Sequence, residues 1–146
     1  MPILTLCLVI ILVDQFSKFY IQSMMSLGMS IPIIPHIFHI TYILNPGAAF
    51  GILENQRIFF IVIGIFILLA AILFYPKIRQ EKFPLKAGSA LLLGGAIGNL
   101  IDRIQTGYVV DFFDFRIWPI FNVADIAIVC GVGLIIYTIL FKGRMQ

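Results

Sequence analysis

Residues 58–75 read IFFIVIGIFILLAAILFY, a run that contains no charged residue and is followed directly by Pro76. A helix that spans a membrane needs roughly 20 consecutive, mostly apolar residues, so this run predicts one span that ends at Pro76. The whole 146-residue chain has the same character, with 61% hydrophobic residues, 12% charged residues and a mean hydropathy of +1.07. A soluble domain of this length could not bury so much apolar surface. We therefore predict an integral membrane protein in which residues 1–146 form a single domain.

Three further spans are predicted around this run, at residues 3–25, from about 87 to at least 104, and at about 122–141. The segment 28–56 differs in kind, because several prolines and glycines in it break helices. Its stretch 36–43 is rich in β-forming residues and predicts short strands at the membrane surface. The predicted fold class is an all-α membrane protein of four transmembrane helices, with a small β-rich extracytoplasmic segment between helices 1 and 2.

Basic residues predict how the four spans are oriented. The stretch 77–86 carries four basic residues against a single acid, and the C-terminal tail carries Lys142 and Arg144. Short loops rich in lysine and arginine stay in the cytoplasm. With four spans, the stretch 77–86 and both termini lie on the same side. We therefore expect both termini in the cytoplasm, and the segments 28–56 and 105–121 on the outer face.

Charged and polar side chains inside the predicted spans are costly, and most are paired or functional. Asp14 and Lys18 stand four residues apart, which puts them on one helix face, and we favour an ion pair over a role in proton transfer. Asn99, Asp102 and Arg103 cluster near the outer end of the third span. For Asp102 a structural role is favoured. The role of Arg103 stays open: it either belongs to a buried structural network or orients catalytic groups or the substrate backbone.

Two aspartates, Asp111 and Asp125, flank the loop that joins the third and fourth spans, and a hairpin there could bring them together. Two adjacent carboxylates share a proton and can activate water for hydrolysis. Asp125 has an alternative role, because Asn122 and Asp125 have the spacing of a capping box at a helix start. Spacing alone leaves both roles open. The alternative for Asp111 is a solvated loop acid, a role that suits Asp114 better.

Other chemistries have weaker support in the sequence. His36 and His39 are the only histidines, and two histidines in a predicted strand make no zinc site without a third ligand. Neither Cys7 nor Cys130 has a nearby histidine to act as its base, and no serine–lysine pair is suitably spaced. We expect no metal and no organic cofactor. A net charge of +3 is too small and too dispersed to predict binding to nucleic acid.

Five ordered sequence blocks carry a resemblance to a known family. The blocks are VDQ at residues 13–15 with Lys18, NPGAAFG at 45–51, GGAIGNLIDR at 94–103, GYVVDF at 107–112 and FNVAD at 121–125. Together they resemble the lipoprotein signal peptidases, which are also called signal peptidase II or prolipoprotein signal peptidase. The resemblance covers nearly the whole chain, and five ordered blocks are far more specific than any single motif.

This resemblance implies a membrane aspartyl endopeptidase of the bacterial cytoplasmic (inner) membrane, with its active site near the extracytoplasmic face. Such an enzyme removes the signal peptide from diacylglyceryl-modified prolipoproteins and cuts before the lipidated cysteine. Its implied partners are these substrates, membrane lipid and globomycin-type inhibitors. The family's catalytic aspartates match Asp111 and Asp125. Its substrate-binding or supporting residues match Asn45, Gly47, Asn99, Arg103, Asn122, Asp14 and Lys18.

Two other functions compete with the peptidase hypothesis. In a small transporter or proton-conducting subunit, Asp14, Lys18, Asp102 and Arg103 would form an ion path through the membrane. A non-catalytic assembly factor that binds lipidated peptides is the second. Cleavage of a lipidated prolipoprotein, with and without the two aspartates, separates all three hypotheses.

Overall fold

A computed structural model describes residues 3–47 and 53–141 of the chain. In chain order its elements are α1 (Ile3–Met24), β1 (Ser30–Ile34), β2 (Phe38–Asn45), α2 (Arg57–Ile78), α3 (Phe83–Gln105), β3 (Val109–Asp114) and α4 (Val123–Phe141). All four of these helices are long and apolar enough to cross a membrane, which confirms the four predicted spans. Residues 48–52 of the NPGAAFG block and the basic residues Lys142 and Arg144 lie outside the described residues.

Two predicted span boundaries are wrong at the end of the bundle opposite the sheet. Pro76 does not end the second span, because α2 continues through it to Ile78. The third span begins at Phe83 rather than near Ala87. Pro84 lies in its first turn, where the missing N–H of proline costs nothing and its fixed φ suits a helix. The basic stretch 77–86 is therefore largely helical, with a short connection in its middle.

Three antiparallel strands form one small sheet in the order β1-β2-β3. The strands expected near residues 36–43 are confirmed as the hairpin of β1 and β2. The stretch that holds Asp111 was predicted as a loop, and this is wrong, because it forms β3 and pairs with β2. Its partner is distant in the chain: Asp111 lies opposite Ile43, and Val109 lies opposite Asn45. This pairing fixes the Asp111 backbone beside the end of β2.

Helix α3 is the centre of the bundle and packs against α1, α2 and α4. Its glycines allow α1 to approach closely, as small residues do in membrane helices. A Cβ atom added at Gly94 would lie 2.9 Å from the Cβ atom of Ile10, and one added at Gly98 would collide with the Asp14 carboxylate. This close approach brings the polar side chains of α1 and α3 together.

We predict that Gly98→Ala destabilises the protein because the added methyl group displaces the buried Asp14 carboxylate. Overpacking of this kind costs about 1–3 kcal/mol. The measurement is the thermal midpoint of unfolding in detergent. Gly133→Ala is the matched control, since a Cβ atom there meets nothing within 4 Å. Equal midpoints for the two variants would contradict this account of the contact between α1 and α3.

Candidate active site

Polar side chains are buried where the helices α1, α3 and α4 meet the sheet. The largest side chains that are almost wholly inaccessible are Asn122, Asp14 and Asp111, none of which is hydrophobic. Burial of polar groups is unfavourable unless hydrogen bonds replace water. A cluster of this kind therefore requires that nearly every donor meets an acceptor, which the following contacts satisfy.

Lys18 lies at the centre of this cluster and is 2% exposed. Its ammonium nitrogen is 2.9 Å from Oδ2 of Asp14 and 2.9 Å from Oδ2 of Asp102. It also donates a hydrogen bond of 2.9 Å to Oδ1 of Asn99. All three N–H groups of the ammonium thus have acceptors. The predicted ion pair of Asp14 and Lys18 is confirmed, and Asp102 has the predicted structural role as its third member.

Both acids of this ion cluster also hold backbone N–H groups of neighbouring elements. Asp14 Oδ1 accepts from the N–H of Ala124 at 2.9 Å, in the first turn of α4, where a helix has unpaired donors. Asp102 Oδ2 accepts from the N–H of Val110 on β3 at 3.2 Å. One ion cluster therefore connects α1, α3, α4 and the sheet.

Asn122 and Asp125 form the predicted capping box at the start of α4. The N–H of Asp125 donates to Oδ1 of Asn122 at 3.0 Å, and the N–H of Asn122 donates to Oδ2 of Asp125 at 3.2 Å. The other oxygen of Asp125, Oδ1, accepts from the amide of Asn99 at 2.8 Å. The cap uses one carboxylate oxygen, so it does not exclude a chemical role for Asp125.

Asp111 is 1% exposed, so the alternative of a solvated loop acid is wrong. Its oxygens accept from Nδ2 of Asn122 at 2.7 Å and from Nδ2 of Asn45 at 2.8 Å. Burial, and then the negative charge of Asp125, raise the pKa of Asp111 to about 7, although both amide hydrogen bonds and Lys18 act in the opposite direction. This carboxyl group can therefore hold or release a proton near neutral pH.

Asp114 is also not the solvated acid that the sequence suggested, since it is 3% exposed. It accepts from the hydroxyl of Thr41 at 2.8 Å and from the backbone and guanidinium of Arg116 at 2.8 and 2.9 Å. Burial acts to raise the pKa of Asp114, but these hydrogen bonds outweigh it and lower the pKa. Asp114 thus connects β3 to Thr41 on β2, at the end of this strand pair that lies away from the cavity.

A cavity of about 360 Å³ lies over the two carboxylates. Its lining residues are Asn45, Gly47, Asn99, Arg103, Val109, Asp111, Trp118, Pro119, Ile120, Phe121, Asp125, Ile128 and Val129. Asp14, Lys18 and Asn122, which were also predicted for the site, lie behind this lining. A larger cavity of about 480 Å³ between α1 and the sheet is almost wholly apolar and contains no carboxylate, so we place the site in the smaller one.

The cavity presents two carboxylates, asparagine amides and one guanidinium. The carboxylates can exchange protons with a bound molecule, and the amides and the guanidinium can donate hydrogen bonds to it. Within residues 3–47 and 53–141, no three side chains of His, Cys, Asp or Glu are placed to hold a metal ion. The expectation of no metal and no cofactor stays a prediction.

Arg103, whose role the sequence left open, holds the edge of the cavity. It donates to the carbonyl oxygen of Gly47 at 2.9 Å, and its guanidinium lies 4.4 Å from the centre of the Phe60 ring on α2. Arg57 on α2, which the sequence did not indicate, donates to the carbonyl oxygens of Arg103 and Ile104 at the C-terminal end of α3. These contacts attach α2 and the segment after β2 to α3 beside the two carboxylates.

Sequence reasoning also missed a role for Gln15 and for the residues 118–120 that line the cavity. Gln15 donates to Oδ1 of Asp102 at 2.9 Å. Gln15 follows Asp14 directly in the VDQ block, and that block membership was the only signal for it. Trp118 carried no signal, because a single aromatic residue in a loop is compatible with many roles.

Comparison with known proteins decides the family. The sequence profile of the family described as Signal peptidase (SPase) II matches residues 6–141. The chain belongs to the signal peptidase II family. A lipoprotein signal peptidase of Pelotomaculum thermopropionicum is 48% identical over 132 residues, which are 90% of this chain and 87% of the relative. One from Moorella thermoacetica is 44% identical over 146 residues, 100% of this chain and 97% of the relative.

Solved structures agree with this assignment. One bacterial membrane enzyme determined by the in meso method at 2.3 Å superposes with a TM-score of 0.91 and 39% identity, over 99% of this chain and 90% of that one. A second, at 1.9 Å, gives 0.85 and 41%, over 94% and 92%. The predicted fold and the predicted family are therefore confirmed. As a signal peptidase II, this multi-pass membrane protein is an aspartic peptidase that removes signal peptides.

We predict that Asp111 makes stability fall as pH rises. Its folded-state pKa of about 7 lies above the ordinary value of an unfolded aspartate, about 3.9. The folded protein binds the extra proton in this interval, so the favourable contribution is complete below about pH 4 and is lost as pH rises through about 7. Asp111→Asn, which mimics the protonated form, should therefore gain thermal midpoint relative to the unsubstituted protein between about pH 5 and pH 8.

Asp114→Asn is the matched control on the same strand. The pKa of Asp114 is lowered, so its ionised form contributes stability above its unfolded pKa of about 3.9, and the substitution should cost a similar amount throughout this pH range. A difference between Asp111→Asn and the unsubstituted protein that does not change with pH would contradict the raised pKa.

Proposed function

We propose that this chain removes the signal peptide from diacylglyceryl-modified prolipoproteins, cutting before the lipidated cysteine, with Asp111 and Asp125 as the catalytic pair. The observation that carries the proposal is a cavity lined by two carboxylates, one of which has a pKa of about 7. The names of the relatives, lipoprotein signal peptidases, support prolipoproteins as the substrate class.

The two carboxylates have different roles in the proposed reaction. Asp111, with its raised pKa, holds the shared proton and donates a hydrogen bond to the scissile carbonyl oxygen. Asp125, ionised, takes a proton from water as the water oxygen bonds to the carbonyl carbon. The C–N bond then breaks, and the proton that Asp125 received passes to the leaving amine. The two groups are coupled, because the negative charge of Asp125 raises the pKa of Asp111.

Arg103 is the group best placed to hold the substrate backbone. A peptide bond inside a membrane helix is hidden by helical hydrogen bonding, so the cleavage site must unwind and its freed carbonyl groups need new donors. The amides of Asn45 and Asn99 already donate to the two carboxylates. Arg103 has five N–H groups, of which one donates to Gly47 among the described residues. Its guanidinium therefore supplies the replacement donors.

Substrate entry from the bilayer fits the surroundings of the cavity. Ile128 and Val129 line it about one turn deeper along α4 than Asp125, which suits an apolar signal peptide. The ion-path hypothesis has less support, because Asp14, Lys18 and Asp102 are bonded to one another and to backbone groups.

The proposed location is the bacterial cytoplasmic membrane, with both termini in the cytoplasm and the sheet on the extracytoplasmic side. The support is the basic stretch 77–86, which lies at the end of the bundle opposite the sheet. Cyclic peptides of the globomycin type are proposed as inhibitors that occupy the cavity.

Replacement of either catalytic aspartate should abolish cleavage. We expect Asp111→Asn and Asp125→Asn each to lower kcat by at least about a hundredfold, since each removes one half of the acid–base pair. The assay uses purified protein and a diacylglyceryl-modified prolipoprotein. Asp114→Asn, on the same strand as Asp111 but outside the cavity, is the control and should keep its activity within severalfold. Cleavage that survives either catalytic substitution would overturn the assignment of Asp111 and Asp125 as the catalytic pair.

The proposed orientation predicts which cysteines an impermeant thiol reagent can reach in intact cells. In a background where Cys7 and Cys130 are replaced by serine, Ile37→Cys in the hairpin should be labelled from outside. Lys82→Cys, in the connection between α2 and α3, should be labelled only after the cells are opened. The reverse pattern would overturn the orientation and leave the fold unaffected.

A further inference from the structure

Two asparagines beside the carboxylates have their amide orientation fixed by the backbone. Asn45 accepts from the N–H of Gly47 at 2.9 Å and donates to Asp111 at 2.8 Å. Asn122 accepts from the N–H of Asp125 at 3.0 Å and donates to Asp111 at 2.7 Å. In an amide the oxygen only accepts and the nitrogen only donates. A backbone N–H at the oxygen therefore directs the NH₂ group toward the carboxylate.

Asn99 follows the same pattern, but a side chain holds its oxygen. Lys18 donates to Oδ1 of Asn99 at 2.9 Å, and Nδ2 of Asn99 donates to Asp125 at 2.8 Å. An ammonium group has only donors, so it forms a hydrogen bond with the oxygen of the amide and not with its NH₂ group. The second donor at this oxygen is Nδ2 of Asn122 at 3.1 Å, whose two hydrogens are shared among three acceptors. Lys18 is thus the main determinant of the orientation of Asn99.

We propose that Lys18 is a positioning residue for catalysis: through Asn99 it keeps a hydrogen-bond donor on Asp125 and makes Asp125 the ionised member of the pair. A charged donor polarises the amide and strengthens the hydrogen bond that the amide gives in turn. The shared proton then stays on Asp111, where the scissile carbonyl needs it. This inference rests on the proposed function of the two aspartates.

The charge of Lys18 also acts across space, where it lowers the pKa of Asp111, so the proposed preference for an ionised Asp125 is transmitted through the amide of Asn99. Charged groups surround the pair of carboxylates. Among the described residues, these groups are Lys18 and Asp14 on α1 and Asp102 and Arg103 on α3, while β2 contributes only the neutral Asn45. Two carboxylates contact the ammonium of Lys18 at 2.9 Å and balance its charge locally. Its hydrogen bond to Asn99 is its direct connection to the reacting groups.

The test removes the donor without leaving two unpaired acids. Loss of a buried cation alone is strongly destabilising, so the variants are made in an Asp102→Asn background. There, Lys18→Met and Lys18→Gln are matched: both are neutral and of similar length, but only glutamine keeps N–H donors. Thermal midpoints are recorded, and kcat and KM are measured with a diacylglyceryl-modified prolipoprotein from about pH 5 to pH 9.

We expect Lys18→Met to lower kcat by about tenfold or more relative to Asp102→Asn alone, with KM changed less than about twofold. The acid limb of its pH profile, which is the fall in kcat toward low pH, should move to higher pH, because ionised Asp125 has lost a hydrogen-bond donor. Lys18→Gln should retain most of the activity and an acid limb close to that of Asp102→Asn alone, since the loss of the positive charge, which acts on the pKa of Asp111, is common to both variants. Equal profiles for the methionine and glutamine variants would overturn the inference, and so would lower thermal midpoints without any change in kcat or profile.

Asn99→Leu keeps the test decisive if the lysine variants fold poorly. Leucine has nearly the shape of asparagine but cannot donate, so the acid limb should move to higher pH in this variant as well. In combination, Lys18→Met and Asn99→Leu should have little more effect than either alone, because they act on one chain of contacts. An unmoved acid limb in Asn99→Leu would refute the inference.

Failure of the proposed function looks different from failure of this inference. In the first case the unsubstituted protein does not cleave the prolipoprotein, or cleavage survives Asp111→Asn. In the second case the protein is active and depends on both aspartates, but its pH profile does not respond to the donor at position 18.

Discussion

The ion cluster of the buried Lys18 ammonium with Asp14 and Asp102 is the interaction on which the rest of this structure depends. Taking an ammonium out of water costs several kcal/mol, and the cost is offset only when good partners surround it. Here the partners come from α1 and α3, which must lie close together, and Gly98 leaves the space for Asp14. Since Asp14 and Asp102 also hold backbone groups of α4 and β3, helix packing and sheet attachment depend on the same ion cluster.

Folding and the proposed chemistry share atoms at the start of α4. Asp125 uses one oxygen to complete a helix cap, and this fixes the direction of the other oxygen toward Asn99 and the cavity. At Asp111, by contrast, folding and the proposed chemistry have opposing requirements. Its burial raises its pKa to about 7, so the ionised form opposes folding at the pH where the proposed reaction uses the protonated form. Sites commonly give up stability for function in this way.

The sequence predicted what depends on local spacing or on hydropathy. The four spans follow from apolar runs, the contact of Asp14 with Lys18 from a spacing of four, and the capping box from a spacing of three. It could not predict β3, because the paired residues of β2 and β3 are 64 to 75 residues apart in the chain and short strands depend on such pairing. The burial of Asp114 follows from the same pairing. The site residues were recognisable as a set only through the five sequence blocks.

The groups that orient the asparagines have a consequence for inhibitors. Asn45 and Asn122 are oriented by backbone N–H groups, which only a substitution to proline would remove, and Lys18 lies behind the cavity lining where a compound cannot touch it. A compound that hydrogen-bonds to both carboxylates would contact only groups that the proposed reaction needs. Resistance by point mutation would then have to arise in the apolar lining, at residues such as Trp118 or Val129, where shape can change and the chemistry is kept.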